Sequence, residues 1–362
     1  MFRKTVQAMT GYVPGEQPRD RRTIKLNTNE NPYPPSPRVL EALAEALTPS
    51  LRLYPAPMAD ELRDRASRVY LVKPENVLVG NGSDELLSLL MRACIDPGDP
   101  VAYPVPTYSL YDTLVELHEA EPIRVPFGPV FELPEALIDA NARLLFFANP
   151  NSPSGTAVPP SEIARLAEAR GDRLVVVDEA YVDFASTNCV DLLKDHPNLL
   201  VLRTFSKSFS LAGMRIGLAL GHESVIATLA KVKDSYNVNR LSIIAASAAL
   251  RDLRWMERNV ERIRETRATL TADLEAIGFI VLPSEANFVL ARMPGRDLGP
   301  IQQTLKRRGI LVRHFAQSGL EDCLRVTVGA DDEVRIFVRT LAGLLKQDSE
   351  AALPEKDAPL RR

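Results

Sequence analysis

Chemically reactive side chains follow four of the short apolar segments that the sequence predicts to be β-strands. The segments VLVG, RLLFFA, RLVVV and LLVLR are followed, in that order, by Gly82-Ser83-Asp84, by Asn151, by Asp178 and Tyr181, and by Thr204, Ser206 and Lys207, with Arg215 shortly after. Ligands of open α/β sheets bind outside the carboxyl ends of the strands. We therefore expect these side chains to lie together at one edge of a single sheet.

A lysine, a carboxylate and a set of phosphate donors are what pyridoxal 5'-phosphate requires of a protein. The cofactor needs a lysine amine for a Schiff base and a carboxylate beside its pyridine nitrogen, and Lys207 and Asp178 have these chemistries. Hydroxyl groups, a guanidinium group and a helix N-terminus bind phosphate, and Ser83, Thr204 and Arg215 can supply them. Alone, Asp178 could cap a helix and Lys207 could be a solvated surface charge, so the prediction rests on the whole set.

Strands and helices that would position these groups alternate over the first two thirds of the chain. The apolar patterns predict strands at 77–80, 101–104, 143–149, 173–180, 199–204 and 215–220, and helices at 36–50, 58–70, 82–95 and 161–169. Continuous Val and Leu runs of about five residues are typical of strands buried on both faces, as in a mostly parallel sheet covered by helices. The sequence therefore predicts an α/β fold for this region.

The sequence pattern of the remaining third of the chain predicts a second, smaller domain. Helical periodicity extends over 223–277 and leads into a long amphipathic helix at 254–278. Strands are predicted at 279–284, 286–292, 311–315 and 324–329, with one helix at 300–308. The chain is thus divided into an N-terminal arm at 1–35, a large domain at 36–255, a small α+β domain at 256–347 and a disordered tail at 348–362.

Composition excludes several classes of protein. The 362 residues are 45% hydrophobic and carry a formal net charge of −3, whereas a protein that binds nucleic-acid phosphates needs a strong basic excess. The three cysteines, Cys94, Cys189 and Cys323, lie far apart, which disfavours a disulfide framework and a structural metal site. The N-terminus has no apolar signal-peptide core, and no apolar run reaches the ~18 residues of a membrane span. We expect a cytoplasmic protein with no metal, membrane or nucleic-acid partner.

The order of these motifs resembles that of the fold-type-I pyridoxal-phosphate aminotransferases. The motifs NPNSPSG, VVVDEAYVDF, TFSKSFSLAGMRIG and LRVTVG follow one another as in that family, and GYVPGEQP, LNTNENPYPP, LRLYP and PTYSLY make the chain similar to its histidinol-phosphate aminotransferase branch. The resemblance implies a large domain with a mostly parallel sheet, a smaller C-terminal domain, an arm that packs on the small domain or the partner subunit, and a homodimer with shared active sites. It also implies pyridoxal 5'-phosphate as cofactor and ping-pong transfer of an amino group from L-histidinol phosphate to 2-oxoglutarate, giving glutamate, in histidine biosynthesis.

The resemblance also implies a role for each site residue. Lys207 would be the Schiff-base lysine, Asp178 would pair with the pyridine nitrogen, and Tyr181 would hydrogen-bond the ring oxygen O3'. The cofactor phosphate would be held by Gly82, Ser83, Asp84, Thr204, Ser206 and Arg215, with Tyr108 against the ring and Tyr54 reaching in from the partner subunit. The substrate would be bound by Tyr12, Asn29, Arg313 and Arg325. In this scheme Arg325 takes the carboxylate of glutamate, and both arginines take the phosphate of histidinol phosphate.

One motif departs from the family pattern. In the common turn N-P-T-G an asparagine directly precedes the proline and serves O3', whereas this chain has Ser152 at that position and Ser154 in place of the threonine. The role is therefore assigned to Asn151, one residue earlier, although its amide could instead serve only to fix the turn.

Two other reactions and one non-enzymatic role fit the same cofactor. An aromatic amino-acid aminotransferase would use the same residues, since one arginine can serve several anions. A decarboxylase of a phosphorylated amino acid such as threonine phosphate would release carbon dioxide without a keto-acid acceptor. A pyridoxal-phosphate-binding regulatory module is disfavoured because the sequence has no basic stripe and no DNA-binding appendage.

Overall fold

Two β-sheets organise the protein in this computed structural model, which describes residues 1–18, 20, 22–317 and 319–351. Within those residues the strands are β1 (Ile24–Leu26), β2 (Val77–Gly80), β3 (Pro100–Val105), β4 (Glu121–Pro126), β5 (Leu144–Ala148), β6 (Leu174–Asp178), β7 (Leu199–Thr204), β8 (Gly217–Gly221), β9 (Ile280–Val281), β10 (Phe288–Arg292), β11 (Ile310–His314) and β12 (Cys323–Thr327). The helices are α1 (Lys4–Ala8), α2 (Pro37–Ala46), α3 (Asp60–Tyr70), α4 (Ser83–Cys94), α5 (Leu110–Leu117), α6 (Glu135–Ile138), α7 (Pro160–Arg170), α8 (Glu223–Val232), α9 (Arg240–Leu250), α10 (Leu253–Ala276), α11 (Gly299–Arg307) and α12 (Asp331–Ala351). In the ranges described, none of these helices has the length and apolarity needed to cross a membrane.

The large domain is built on a sheet in the order β2-β8-β7-β6-β5-β3-β4. The strands β4, β3, β5, β6 and β7 are parallel neighbours, and β8 runs antiparallel between β7 and β2. The predicted mostly parallel sheet is therefore confirmed. Only β4 lacks a predicted counterpart, because it is an edge strand with mostly exposed residues and prolines at positions 122 and 126, and so has no apolar run.

Helices cover both faces of this sheet because its central strands are apolar on both sides. In β6, Val175 and Val177 belong to the core that includes residues of α2, α3, α7 and α9, whereas Val176 belongs to the core that includes residues of α4, α5 and α8. Alternate residues of a strand point to opposite faces, so a continuous valine run fills two cores at once. This packing holds the carboxyl end of β6, and with it Asp178, between two layers of helices.

The small domain is built on a sheet in the order β1-β11-β12-β10-β9. The helices α10, α11 and α12 contribute Ile263, Leu305 and Phe337 to its core, and each of these side chains is at most 1% exposed. The strand β9 contains only two residues, fewer than the predicted 279–284, since Pro283 cannot donate to a sheet partner. The predicted small α+β domain is therefore present, with its sheet extended by a strand from elsewhere in the chain.

The N-terminal arm provides that additional strand. Within the predicted arm at 1–35, β1 pairs in parallel with residues 310–312 of β11, and residues 4–8 form the short helix α1. Leu26 of β1 is fully buried in the core of the small domain, which explains why the segment is ordered. Three residues are too few to show a strand periodicity in the sequence.

Two predicted boundaries differ from those of the structure by a few residues. Helix α10 begins at Leu253, so the boundary between residues 255 and 256 falls in its first turn. Helix α12 continues to Ala351, past the predicted start of a disordered tail at residue 348. The rest of the predicted tail, 352–362, lies outside the described residues.

Truncating Leu26 tests how much β1 contributes to the small domain. Leu26→Ala removes buried apolar contacts and leaves a cavity, so we expect the free energy of unfolding to fall by about 2–5 kcal/mol. Urea unfolding of the full chain measures this loss. Ile24→Ala, at the half-buried end of the same strand, is the matched control and should cost less. Equal losses for the two variants would contradict the burial of β1 in the core.

Candidate active site

A cavity of about 460 Å³ opens where the large sheet, the small domain and the N-terminal arm meet. The predicted site residues that line it are Tyr12, Asn29, Ser83, Asp84, Tyr108, Asp178, Tyr181, Thr204, Ser206, Lys207, Arg215, Arg313 and Arg325. Gly82 lies against Arg215 at the edge of this group, whereas Tyr54 and Asn151 are not part of the lining. The carboxyl ends of neighbouring strands thus bring together most of the side chains that were predicted to meet.

Asp178 is a buried carboxylate at the end of β6. It is 5% exposed, and its oxygens accept hydrogen bonds from Tyr111 Oη and from the backbone nitrogen of Ala180, both at 3.1 Å. Burial raises the pKa of Asp178 to about 6, although the hydrogen bond from Tyr111 opposes the shift. Among the described residues no cationic side chain pairs with this carboxylate, so a cationic ligand group would relieve the cost of its burial.

Lys207 lies in the loop after β7 with its amine at the cavity. Its Nζ donates a hydrogen bond to the carbonyl of Thr28 at 3.3 Å and lies 5.5 Å from the centre of the Tyr181 ring. Asn31 Nδ2 donates to the carbonyl oxygens of Lys207 and Ser208, each at 3.1 Å. The N-terminal arm therefore orients this lysine, whose amine has no carboxylate partner in the part of the chain that the structure describes.

The start of α4 forms a cradle for an anion. The helix begins after Gly82 without a side-chain cap, so its first backbone N–H groups remain available as donors. Gly82 has a φ of 83°, and a Cβ atom there would lie 2.6 Å from a nitrogen of Arg215. Only glycine therefore lets this guanidinium group approach the helix end.

Hydroxyl groups complete the cradle on the side of β7. Arg215 Nη1 donates to Ser206 Oγ at 3.4 Å, and Thr204 Oγ1 donates to the same oxygen at 3.1 Å. Arg215 Nη2 also lies 3.1 Å from Asp84 Oδ2, while Tyr108 Oη donates to Asp84 Oδ1 at 3.1 Å. A guanidinium group, two hydroxyl groups and a helix N-terminus around one space make a binding site for a phosphate monoester.

Tyr181 presents its phenol to the cavity in a fixed orientation. Its Oη accepts a hydrogen bond from Asn29 Nδ2 at 3.0 Å, and Asn29 Oδ1 accepts one from Thr327 at 3.0 Å. The edge of the ring packs on Phe288, with ring centres 5.0 Å apart. Since the phenol oxygen is an acceptor toward Asn29, its own proton remains free to be donated into the cavity.

The NPNSPSG turn places Ser152, rather than Asn151, at the cavity. Asn151 is 2% exposed, and its Nδ2 donates to Pro106 O at 3.2 Å and to Ser154 Oγ at 2.9 Å. Its Oδ1 accepts from Thr107 Oγ1 at 2.7 Å. The structure thus places the Asn151 amide in contacts that hold the turn together, away from the cavity where the assignment to ring oxygen O3' would need it, and Ser152 before the proline lines the cavity instead.

Arg313 and Arg325 lie opposite each other on the neighbouring strands β11 and β12. Arg325 Nη1 donates to Ser152 Oγ at 3.1 Å and Nη2 donates to Asn27 O at 3.0 Å, while its buried Nε has no hydrogen-bond partner among the described residues. Burial lowers the pKa of Arg325, and the charge of Arg313 acts in the same direction. An anion between the two guanidinium groups would satisfy the buried nitrogen and neutralise their repulsion.

Tyr54 points outward from its own chain. The side chain is 76% exposed, and its ring stacks on Tyr236 with centres 4.4 Å apart and planes 12° from parallel. Arg240 Nη2 donates to the backbone carbonyls of Leu53 and Tyr54 at 3.4 and 3.1 Å. The loop that carries Tyr54 is thus held in place although it makes no contribution to the cavity beside Lys207 in the same chain.

Three residues contact the reactive groups without having been predicted. Tyr111, which donates to Asp178, follows Tyr108 by three residues, and the two rings pack edge to face with centres 5.7 Å apart. The repeated tyrosine in PTYSLY was therefore an available signal. Thr28 accepts a hydrogen bond from Lys207 through its backbone carbonyl, and the Asn31 side chain contacts the backbone of Lys207, which is distant in sequence. Neither contact has a signature in the local sequence.

This set of donors and acceptors fits pyridoxal 5'-phosphate. The buried carboxylate without a countercharge matches a protonated ring nitrogen, and the cradle at α4 matches the phosphate group. Lys207 supplies an amine near both, and the phenol of Tyr181 supplies a donor for the ring oxygen. Asp178, Lys207, Tyr181, Arg215 and Ser206 are therefore the side chains that would hold this cofactor.

Sequence comparison relates the chain to aminotransferases. The sequence model of the family described as "Aminotransferase class I and II" matches residues 21–341. A protein of Trichormus variabilis named histidinol-phosphate aminotransferase 1 is 45% identical over 347 residues, which cover 95% of this chain and 99% of that protein. A protein of Citrifermentans bemidjiense named histidinol-phosphate aminotransferase is 45% identical over 345 residues, which cover 95% of this chain and 98% of that protein.

Structural comparison leads to the same group of proteins. The crystal structure of histidinol-phosphate aminotransferase from Sinorhizobium meliloti, in complex with pyridoxal-5'-phosphate, superposes with a TM-score of 0.89 at 27% sequence identity. The match covers 96% of this chain and 98% of that one. Both domains therefore have counterparts within one known architecture.

Replacing Asp178 by asparagine tests how much the ionised, buried carboxylate lowers the free energy of unfolding. Its pKa rises from 3.8 unfolded to about 6 folded, so ionisation destabilises the cofactor-free protein increasingly as the pH rises through that window. We expect Asp178→Asn to be more stable than wild type by about 1–2 kcal/mol at about pH 7.5, and this advantage to vanish at about pH 4. Urea unfolding of the cofactor-free proteins measures both values. An advantage that does not depend on pH would contradict the assignment.

Proposed function

The chain belongs to the class I and II aminotransferases, and from this membership we propose that it transfers the amino group of L-histidinol phosphate to 2-oxoglutarate. The products are imidazole-acetol phosphate and glutamate, formed by ping-pong exchange in one cavity. Relatives of that name share 45% identity over almost the whole chain, which supports the proposal. The observation that carries it is the pair Arg313 and Arg325, because a doubly charged phosphate group suits two guanidinium groups where a carboxylate needs only one.

Lys207 is the base of the proposed reaction. Pyridoxal 5'-phosphate, when bound, supplies an aldehyde for the amino group and a ring that accepts the electron pair left on the substrate Cα. After the substrate amine has taken its place, Lys207 Nζ is free to remove the proton from Cα. The carbonyl of Thr28 and the ring of Tyr181 lie beside this amine and limit where it can move.

Asp178 and Tyr181 adjust the charge distribution of the bound ring. The Asp178 carboxylate keeps the ring nitrogen protonated, since each charge compensates the other in a place that water does not reach. The Tyr181 proton is donated toward ring oxygen O3', because the phenol oxygen already accepts from Asn29. Ser152 stands at the neighbouring position with its Oγ hydrogen-bonded to Arg325, and so connects the ring side of the cavity to the substrate side.

The two arginines bind the anionic ends of both substrates. Arg325 offers a buried Nε and a fork of donors to the carboxylate of glutamate. Arg313, on the adjacent strand, adds the second positive charge that the phosphate of histidinol phosphate requires. Tyr12 lies at the same end of the cavity, with its ring edge-on to Tyr108 at 6.0 Å, and covers the bound substrate.

A homodimer with shared active sites accounts for the outward orientation of Tyr54. The side chains Leu47, Leu51 and Leu53 near it are 64%, 46% and 49% exposed, which is a large apolar area for one loop region. A second copy of the chain would cover these leucines. In that dimer Tyr54 reaches the phosphate cradle of the partner subunit, so each site uses residues from both chains.

The proposed reaction belongs to histidine biosynthesis and takes place in the cytoplasm. One observation supports this location. Cys94, Cys189 and Cys323 are free thiols, as is usual in a reducing compartment. The relatives described above carry the name histidinol-phosphate aminotransferase, which supports the proposed reaction.

A substrate panel tests the proposed reaction. The cofactor-loaded enzyme should form glutamate from 2-oxoglutarate and histidinol phosphate, with a kcat/KM about 100-fold or more above that for phenylalanine, since phenylalanine leaves Arg313 without its anion. Arg313→Gln should remove most of this preference and leave the rate with phenylalanine within about threefold. Lys207→Ala, the negative control, should lose both turnover and the visible absorbance band. A preference for phenylalanine, or carbon dioxide release without a keto acid, would favour the other two reactions.

Hybrid dimers test whether Tyr54 serves the partner subunit. Lys207→Ala is inactive, and Tyr54→Phe is expected to bind the cofactor about tenfold more weakly because one phosphate hydrogen bond is lost. A mixed dimer of the two variants contains one site with both Lys207 and Tyr54 intact. Unfolding and refolding an equal mixture should therefore restore activity at limiting cofactor concentration. No recovery would mean that Tyr54 acts within its own chain or not at all.

A further inference from the structure

A group of four polar side chains, three of them buried, connects the two loops that carry the reactive residues. We call Glu179, Asp183, Arg203 and Ser208 the charge cluster. Glu179 follows Asp178 directly, Asp183 follows Tyr181 by two residues, and Ser208 follows Lys207 directly. None of the four lines the cavity. Any effect of the charge cluster on the reaction therefore has to act through Asp178, Tyr181 or Lys207.

Arg203, in β7, is the centre of the charge cluster. Its Nε lies 2.8 Å from Glu179 Oε2, and its Nη1 donates to Asp183 Oδ1 at 3.1 Å. The guanidinium carbon also lies 5.2 Å from the centre of the Tyr70 ring. Glu179 is 1% exposed and Arg203 is 6% exposed, so water contributes little to balancing these charges.

The charge cluster has one more negative than positive charge. One guanidinium group faces two carboxylates, and neutral donors make up the difference. The backbone nitrogen of Cys189 donates to Glu179 Oε1 at 2.6 Å, and Ser208 Oγ donates to Asp183 Oδ2. The Asp183 side chain is 20% exposed, and its carboxylate accepts from both Arg203 and Ser208, so these charge-assisted hydrogen bonds fix the Ser208 hydroxyl group.

We propose that Ser208 and Asp183 form a positioning pair that sets the place of the Lys207 backbone, and hence the reach of its amine, relative to Tyr181. The inference rests on the proposed function of the cavity. The Ser208–Asp183 hydrogen bond joins the loop after β7 to the segment that follows Tyr181, and Arg203 joins both to Glu179 next to Asp178. Ser208 is 1% exposed and contacts neither substrate nor cofactor, so it is not a catalytic residue.

A second contact keeps this loop folded when the hydroxyl group is removed. Asn31 of the arm donates to the carbonyl oxygens of Lys207 and Ser208 from the other side. Loss of the Ser208 hydroxyl group therefore leaves one of two restraints in place. The expected consequence is a less precisely placed amine in a folded protein, rather than unfolding of the site.

The variant Ser208→Ala tests the positioning role in the holoenzyme. We expect kcat for histidinol phosphate to fall about tenfold, and KM to change less than about twofold because Arg313 and Arg325 are untouched. The visible circular-dichroism band of the bound cofactor should weaken, since it reports how rigidly Lys207 holds that group. Ser247→Ala is the matched control: Ser247 in α9 is 2% exposed and its Oγ has no hydrogen-bond partner among the described residues.

A double-mutant cycle with Asp183→Ala, which removes the acceptor, separates the pair from a general loss of stability. If both residues act through their shared hydrogen bond, adding Ser208→Ala to Asp183→Ala lowers kcat by no more than about a further twofold. Fully additive losses, an unchanged circular-dichroism band in Ser208→Ala, or an equal loss of kcat in Ser247→Ala would each overturn the inference. Absence of transamination by the wild-type holoenzyme would instead overturn the proposed function, so the two failures are distinguishable.

Discussion

A carboxylate buried without a countercharge is the constraint around which the large domain is arranged. The valine run of β6 fills the cores on both faces of the sheet and ends at Asp178, so this side chain cannot turn toward water. Tyr111 and the Ala180 backbone supply hydrogen bonds, and neither supplies positive charge. At neutral pH the fold therefore maintains an unfavourable electrostatic environment that a cationic ligand relieves, so binding of the cofactor stabilises the native structure.

Each part of the chain contributes a different chemistry to the cavity. The large domain provides the carboxylate, the amine and the phosphate cradle at the ends of parallel strands and at the start of α4. The small domain provides the paired guanidinium groups of β11 and β12. The arm lies between them, since β1 extends the sheet of the small domain while Thr28 and Asn31 contact Lys207. A displacement of the small domain is therefore transmitted to the reactive amine through a few residues of the arm.

The sequence was sufficient to predict features that depend on local pattern, and insufficient for those that depend on distant contacts or on side-chain direction. Asp178 and Lys207 could be placed at one edge because parallel strands end on the same side of a sheet. In the NPNSPSG turn, Asn151 and Ser152 are adjacent, and only one of them lines the cavity. The sequence alone does not show which of the two side chains faces it. The pairing of Arg203 with Glu179 was equally inaccessible, because one residue lies in β7 and the other in the segment after β6.

The pairing of β1 with β11 also determines when the sheet of the small domain can form during protein synthesis. Ile24 and its partner Ile310 are separated by 286 residues of chain. The ribosome therefore releases β1, and can release the whole sheet of the large domain, before the strand that β1 joins exists. Leu26 remains exposed to solvent and to chaperones throughout that interval, and the site beside Lys207 takes its final form only when the C-terminal third of the chain has emerged.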